Sequence, residues 1–285
     1  MILSKILDEG SQLLKKSNIG DPNREAKLLI CHALKINEHE IISKPNKIIS
    51  EKEIQIINKL LVKRAKKEPY AYIINKKYFF DMQFYVNKNV LIPRPETENI
   101  IENVLKNRDK NKALNILDLG TGSGAILLTL LNHLPYAYGV GVDISFEALR
   151  VAKINTDKYN LSNRCSLING NWGKSLKSNY FDILICNPPY IDENSLHNLD
   201  NEVKKYEPII ALNGGKDGLE KFSNLLPSAY NCLKNNGHAY FEIGFDQSNK
   251  AQSLLKKNKF EIKNIIKDIS GFERIIKTVK KKNNI

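Results

Sequence analysis

The chain has 285 residues, roughly two domains' worth at ~100–200 residues each. Its 42% hydrophobic and 26% charged residues, with only 15 Gly and 10 Pro, exclude collagen-like, disulfide-scaffold and disordered classes. The formal net charge of +13 would suit a polyanionic partner such as nucleic acid or the ribosome, but the lysines are scattered along the whole chain, as a general compositional bias would place them.

Asp8 and Glu9 fall where a signal peptide needs an unbroken apolar run, and no later run approaches the ~20 residues of a membrane span, so a cytoplasmic protein without membrane contact is expected. Cys31, Cys165, Cys186 and Cys232 form no CxxC pair and lie mostly in apolar runs. They read as buried free thiols of a reducing compartment; neither a disulfide frame nor a metal site is expected.

Residues 1–75 carry helical periodicity: Leu3, Ile6, Leu7, Leu13 and Leu14 share one face, and Ala26, Leu29, Ile30, Ala33 and Leu34 another. Asp21-Pro22 supplies a cap followed by proline at the first helical position, and Ser50-Glu51-Lys52-Glu53 is a capping box ahead of Ile54, Ile57, Leu60 and Leu61. A small helical bundle domain is expected here. Between 76 and 93 the period changes to two, with Tyr78, Phe80, Met82, Phe84 and Val86 on one face. The turn residues Asn87-Lys88-Asn89 then lead to Val90-Leu91-Ile92, which predicts a β-hairpin linker.

From 94 to 285 short apolar strands alternate with helical patterns. The strand candidates are 115–119, 138–142, 166–168, 181–186 and 239–243, which means βαβ units and an α/β domain with a doubly wound, Rossmann-like parallel sheet. Segments 261–267 and 274–279, separated by Asp268-Ile-Ser-Gly271, predict an antiparallel C-terminal hairpin at its edge, and Lys280-Lys281-Lys282 reads as a solvated tail.

The strand 115–119 runs through Asp118 into Gly120-Thr121-Gly122-Ser123-Gly124 and an apolar helix, so glycine sits where the chain turns tightly against a ligand. Gly120-x-Gly122-x-x-Ala125 also satisfies the dinucleotide fingerprint, and glycine-rich turns can serve helix–strand packing alone. Asp143 ends the next strand; an acid there accepts ribose hydroxyls in either an NAD or an S-adenosylmethionine site, or caps the helix that follows. The end of the fourth strand, Asn187-Pro188-Pro189-Tyr190, decides between these. Two prolines keep the backbone extended and donate no N–H, so Asn187 and the carbonyls face the cleft. One N–H of a planar –NH2 group can then bond the Asn187 oxygen and the other the Pro188 carbonyl, while Tyr190 offers a ring face to the substrate or to a sulfonium charge.

These residues resemble the glutamine N5-methyltransferases of peptide-chain release factors, the HemK or PrmC-type enzymes. The resemblance also covers Val90-Leu-Ile-Pro-Arg94-Pro-Glu96-Thr-Glu98, Val142-Asp143-Ile-Ser145, Tyr206-Glu207-Pro208, Gly214-Gly215-x-Asp217-Gly218-Leu219 and Phe241-Glu242-Ile-Gly244. It implies a class I methyltransferase sheet, S-adenosylmethionine as cofactor, a helical N-terminal domain that recognises the substrate, and the Gln of a release-factor Gly-Gly-Gln loop as target. By the same resemblance Gly120, Thr121, Gly122, Ser123 and Gly124 wrap the methionine part of the cofactor, Asp143 holds the ribose, Trp172 lies by the adenine, and Asn187, Pro188, Pro189 and Tyr190 bind the glutamine amide. Asn187, Pro188 and Tyr190 are the expected catalytic set.

Two positions depart from the family pattern. Asn75 stands where the family has glycine, and asparagine is the best non-glycine residue at positive φ. Asn171 stands where an Asp is frequent, and its side-chain oxygen can still accept from an adenine amino group. Arg94 and Glu96, stiffened by Pro93 and Pro95, either close one wall of the active site and touch substrate or form an interdomain salt bridge. Glu242 either orients site residues or satisfies buried backbone, and the five histidines show no ligand spacing. Two rival substrates share the tetrapeptide chemistry: a ribosomal-protein glutamine, and an amino group on a DNA or RNA base. The long family-specific segments argue against nucleic acid.

Overall fold

The computed structural model describes residues 1–106 and 111–281, which divide into two compact units. The first comprises Met1–Lys76 together with Asp200–Tyr206. Its helices are Leu3–Lys16, Pro22–Leu34, Glu38–Ser43, Glu51–Ala65 and Tyr70–Ile74, with Asn201–Tyr206 added. The predicted starts hold: the Asp21 side chain accepts from the Arg24 N–H with Pro22 behind it, and Ser50 and Glu53 form the complete reciprocal box. Leu3, Ile6, Leu14, Ala26, Leu29, Ile30, Ile57 and Leu61 make the core, whereas Leu13, expected inside, is exposed. Asn75 takes φ 55° at the end of its helix, the left-handed conformation expected of it.

A residue the sequence did not single out organises this unit. Arg64 is 4% exposed and pairs with both Glu25 and Glu202, while its Nη1 donates to the Glu68 carbonyl at 3.1 Å. Burying a guanidinium is tolerable only with such partners.

The second unit, Lys77–Leu199 with Glu207–Ile285, opens with strands β1 (Lys77–Phe79) and β2 (Met82–Phe84), paired antiparallel with Phe79 opposite Met82. A hairpin is therefore present where one was expected, inside the second unit and in a different register. The run read as one strand folds on itself at Phe80, whose φ is +57°, and Val90–Ile92 form no strand. The two-residue turn changes the parity, so Phe79, Met82, Phe84 and Val86 are buried and Tyr78 is exposed.

Strands β3 (Asn115–Leu119), β4 (Tyr138–Asp143), β5 (Cys165–Asn169), β6 (Phe181–Cys186), β7 (Ile191–Asp192), β8 (Asn213–Gly215), β9 (Leu233–Glu242), β10 (Phe260–Lys267) and β11 (Glu273–Lys280) follow. Seven of them form one sheet in the order β10-β11-β9-β6-β3-β4-β5, parallel from β9 to β5 and antiparallel at β11 and β10. This is the expected doubly wound sheet with its C-terminal hairpin, turned at Gly271 with φ +85°. Helices Glu220–Cys232 and Ser248–Lys257 cover one face through Phe222, Leu225, Leu226, Ala229, Ala251 and Leu255 against Leu117, Leu119, Leu184, Cys186, Ala239 and Phe241. By strand alternation the intervening Asp118 and Glu242 belong to the opposite face.

Strand β9 begins six residues before the expected segment, with Lys234-Asn-Asn-Gly237 held in the strand beside an irregular register with β6. The small pair β7 and β8 was not predicted. Lys280 is not solvated: it is 4% exposed, its Nζ donates to Asn179 Oδ1 at 2.7 Å and to the Leu233 carbonyl at 2.8 Å, and it lies over the Tyr230 ring. Lys282 lies outside the described residues. Cys186 and Cys232 are buried, Cys31 and Cys165 half-buried, and all four are free. Among the described residues no helix is long and apolar enough to cross a membrane.

Candidate active site

The carboxyl ends of β3, β4 and β6 open onto one cavity of about 560 Å³ within the second unit, a size suited to a nucleoside-bearing ligand. Arg94, Gly120, Thr121, Gly122, Ser123, Asp143, Asn171, Trp172, Asn187 and Pro189 line it, so segments far apart in sequence converge there. Four expected site residues do not line it. Gly124 (φ +79°) caps the following helix, where an added Cβ would meet Leu128 at 3.0 Å. Pro188 is buried, Tyr190 is half-buried, and Glu96 is exposed.

The glycine-rich turn forms because β3 ends against β4. The Gly120 and Thr121 N–H groups both donate to the Val142 carbonyl, and Gly120 and Gly122 adopt φ +78° and +55°. A side chain on Gly120 would approach the Trp172 ring at 3.7 Å and the Asn187 carbonyl at 4.0 Å, whereas one on Gly122 would meet nothing within 4 Å. The missing side chains are what leave a cradle for a ligand.

Asp143 Oδ2 accepts from the Gly122 N–H and Oδ1 from the Ser145 N–H, both at 2.9 Å. Burial pushes its pKa up while these backbone bonds oppose the shift. Ser145 is the helix cap, accepting from the Ala148 N–H, so Asp143 fixes the turn and presents its carboxylate to the cavity. Asp118 lies behind the turn: Oδ2 accepts from the Thr121 hydroxyl at 2.7 Å, Oδ1 is buried without a hydrogen bond, and burial raises the pKa to about 7.

The extended segment before the 3₁₀ turn Pro95–Thr97 is anchored by Glu207, which Arg94 contacts at 2.6 Å and the Ile92 N–H at 3.2 Å. Arg94 therefore forms a cavity wall through an ion pair with Glu207 inside this unit, not an interdomain one. Thr97 also lines the cavity; its hydroxyl donates to Glu242 Oε2 at 2.7 Å, and the Asn187 Nδ2 donates to that hydroxyl oxygen at 3.3 Å. Burial raises Glu242 to about 7, and Thr97 is the largest opposing influence.

The loop after β6 is backed by Gly214 of β8 and by Gly218 just beyond it. An added Cβ on Gly214 would lie 2.8 Å from the Pro189 carbonyl, and one on Gly218 would lie 2.5 Å from that of Tyr190. Gln247 completes the support, donating to the Tyr190 carbonyl at 2.8 Å and accepting from the Gly244 N–H at 2.9 Å. Thr97 and Gln247 were missed by sequence reading. Both lie inside or beside the family segments, but a lone Thr and Gln carry no local periodic or spacing signal. Burial also raises the Tyr190 hydroxyl to about 12, which keeps the ring neutral.

Residues 5–74 match the family model described as PrmC N-terminal domain, and residues 110–283 match one described as methyltransferase domain. A release factor glutamine methyltransferase of Caulobacter vibrioides is 39% identical over 280 residues, covering 98% of this chain and 97% of that one. A bifunctional methyltransferase of Rickettsia bellii is 34% identical over 96% of this chain, which spans 54% of that longer protein. The crystal structure of a methyltransferase from Pyrococcus furiosus superposes with a TM-score of 0.54 at 18% identity, over 72% of this chain and 92% of that one, a likeness of fold. With full-length similarity at this level and both halves matched by their domain models, the chain belongs to the release factor glutamine methyltransferase family.

Proposed function

We propose that this chain transfers a methyl group from S-adenosylmethionine to the side-chain amide nitrogen of the glutamine in a Gly-Gly-Gln loop of a peptide-chain release factor, with residues 1–75 contributing substrate recognition. The observation that carries this reading is the placement of Asn187 and Pro189 in the same cavity as the Gly120–Gly122 turn and Asp143. Relatives named for release factor glutamine methylation support it.

The residues present fit the cofactor: a side-chain-free cradle at Gly120 and Gly122, a carboxylate at Asp143 for ribose hydroxyls, and the Trp172 ring with Asn171 beside it for a base. Bound S-adenosylmethionine would supply an electrophilic methyl group. The protein's part is positional, because an amide nitrogen is a weak nucleophile with a delocalised lone pair. Asn187 Oδ1 takes one N–H of the target amide and the Pro188 carbonyl, in the peptide link to the cavity-lining Pro189, takes the other although the Pro188 ring is buried, which fixes the nitrogen in a near-attack geometry. As positive charge develops on that nitrogen both bonds strengthen, which is differential stabilisation of the transition state. No histidine is among the described residues lining the cavity, and the surplus proton leaves to water.

The test is a methyl-transfer assay with release factor, ribosomal protein and DNA in parallel, alongside calorimetry with S-adenosylmethionine and NAD. Transfer to the release-factor glutamine and binding of S-adenosylmethionine alone are expected. Methylation of DNA instead, or binding of NAD alone, would overturn the reading.

A further inference from the structure

We propose that Thr97 is a positioning residue: its hydroxyl, held by the Glu242 carboxylate, sets the orientation of the Asn187 side-chain amide and so aims the Asn187 oxygen into the cavity. The proposal rests on the reading that Asn187 holds the target amide.

A threonine hydroxyl has one hydrogen to donate and lone pairs to accept with. Thr97 Oγ1 spends that hydrogen on Glu242 Oε2 at 2.7 Å, in a buried setting where a bond to a carboxylate is strong. Its oxygen can then only accept, so the amide atom 3.3 Å away must be the Asn187 NH2 group. Turning the amide over would place two acceptors against each other. With the NH2 fixed toward Thr97, Oδ1 occupies the other end of the amide, and Asn187 lines the cavity.

Geometry makes the relay possible. Cys186 of β6 lies beside Phe241 of β9, so the next positions, Asn187 and Glu242, are lateral neighbours on one side of the sheet. Thr97, 4% exposed and ending its 3₁₀ turn, fills the gap between them. Oxygen presented to the cavity accepts an N–H from the target; an NH2 presented there would confront the target's own N–H groups. The relay therefore selects the catalytically useful face of a side chain whose two ends have nearly the same shape.

A protonated Glu242 would reverse the polarity, donating to Thr97 and releasing the threonine hydrogen to Asn187 Oδ1. The groups acting on Glu242 are Thr97 and Asn187, Arg274 of β11, which favours the charged form, and Glu96, which disfavours it; Cys186 and Tyr190 interact with it from the β6 side. Activity should then fall on the acidic side as Glu242 takes up its proton.

The experiment compares Thr97→Val, Thr97→Ser and Glu242→Gln, each checked by thermal unfolding, with Asn187→Ala and the Thr97→Val/Asn187→Ala pair. Thr97→Val should lower kcat by about 10–100-fold, the scale for loosening one positioned group. KM should move less than about threefold, since ground-state binding is retained. Thr97→Ser should restore most of kcat, and Glu242→Gln should remove the acidic limb of the pH profile. Adding Thr97→Val to Asn187→Ala should cost nothing further, because a residue acting through Asn187 has nothing left to orient. A Thr97→Val enzyme with wild-type kcat, or losses that multiply in the pair, overturns the proposal.

A second readout is independent of the substrate. The Asn187 side-chain NH2 signals in an asparagine-¹⁵N-labelled protein, assigned by their loss in Asn187→Ala, should shift with pH in the wild type, shift less in Thr97→Val and stop shifting in Glu242→Gln. Wild-type signals that ignore pH sink the relay. Absence of release-factor methylation with titrating signals sinks the proposed function and leaves the relay standing.

Discussion

Arg94 donates to Glu207 at 2.6 Å across 113 residues of sequence, and the second oxygen of the same carboxylate accepts the Ile92 N–H at 3.2 Å. One buried acid thus fixes both the backbone and the side chain of the segment that walls the cavity. Replacing Glu207 by Ala leaves a buried N–H unpaired and Arg94 without its counter-charge. With Arg94 one-third exposed and solvent screening the pair, the expected loss of stability is roughly 1–3 kcal/mol. It should appear in urea unfolding, together with about a tenfold drop in kcat/KM if Arg94 shapes the target site. Unchanged unfolding would show that the segment is held by other means.

Asn187→Ala removes the proposed acceptor for the target N–H. Loss of one preorganised partner is expected to lower kcat by about 10²–10³-fold. Release-factor affinity, spread over a larger surface, should stay nearly intact. Steady-state kinetics with a parallel binding isotherm tests both halves, and near-wild-type turnover removes Asn187 from the mechanism.

Gly218 has φ +70°, and a Cβ there would sit 2.5 Å from the Tyr190 carbonyl and from the Gln247 amide nitrogen. Gly218→Ala must therefore displace backbone, with a cost of about 1–3 kcal/mol for the strained φ alone. The displaced loop carries the amide-binding residues, so turnover should fall more than cofactor affinity. Gly271→Ala, far from the cavity lining, is the comparison: also a positive φ, +85°, but open space for the methyl group. Should both variants keep wild-type turnover, the buttress is dispensable.

Asp118 is wholly buried and its carboxyl is raised from 3.8 to about 7. The folded state therefore binds this proton more tightly than the unfolded chain does. Stability contributed at this position declines as pH rises from about 4 toward 7; the penalty is full above 7 and absent below about 4. Asp118→Asn should accordingly be stabilising relative to wild type at pH 8 and less so at pH 5, by a difference on the order of 2 kcal/mol. Denaturant midpoints at the two pH values measure it, and an Asn variant equally affected at both would place the charged form in a more favourable setting than described.

A glutamine side chain between two glycines offers few atoms to recognise, so specificity for one protein needs remote contacts, whose binding energy also aids positioning. The second unit has its own core, built from Leu117, Leu184, Phe222, Phe241 and their neighbours. A chain beginning at Tyr78 and shown by circular dichroism to be folded should bind S-adenosylmethionine yet methylate intact release factor far more slowly. A short Gly-Gly-Gln peptide should be affected much less. Equal kcat/KM for the intact factor with both chains would dismiss substrate recognition by the first unit.

What the sequence by itself determined is what depends on near neighbours along the chain. The cap at Asp21, the box at Ser50, the positive φ of Asn75, strands β3 and β6, the glycine-rich turn and the Gly271 hairpin all follow from side-chain periodicity, local hydrogen bonding and φ preferences within a few residues. Only the tertiary structure decided the pairings that sheet order creates. Glu207 holds Arg94, Thr97 meets Glu242 and Asn187, Gln247 supports Tyr190, and Lys280 is buried on Asn179. The hairpin at Phe80 and the early start of β9 belong to the same group, because pairing with a neighbouring strand overrode their local patterns. The physical reason is common to all of these: a buried charge or unpaired N–H takes whichever partner the packed fold brings within about 3 Å, and chain separation leaves no trace of that distance in a run of residues.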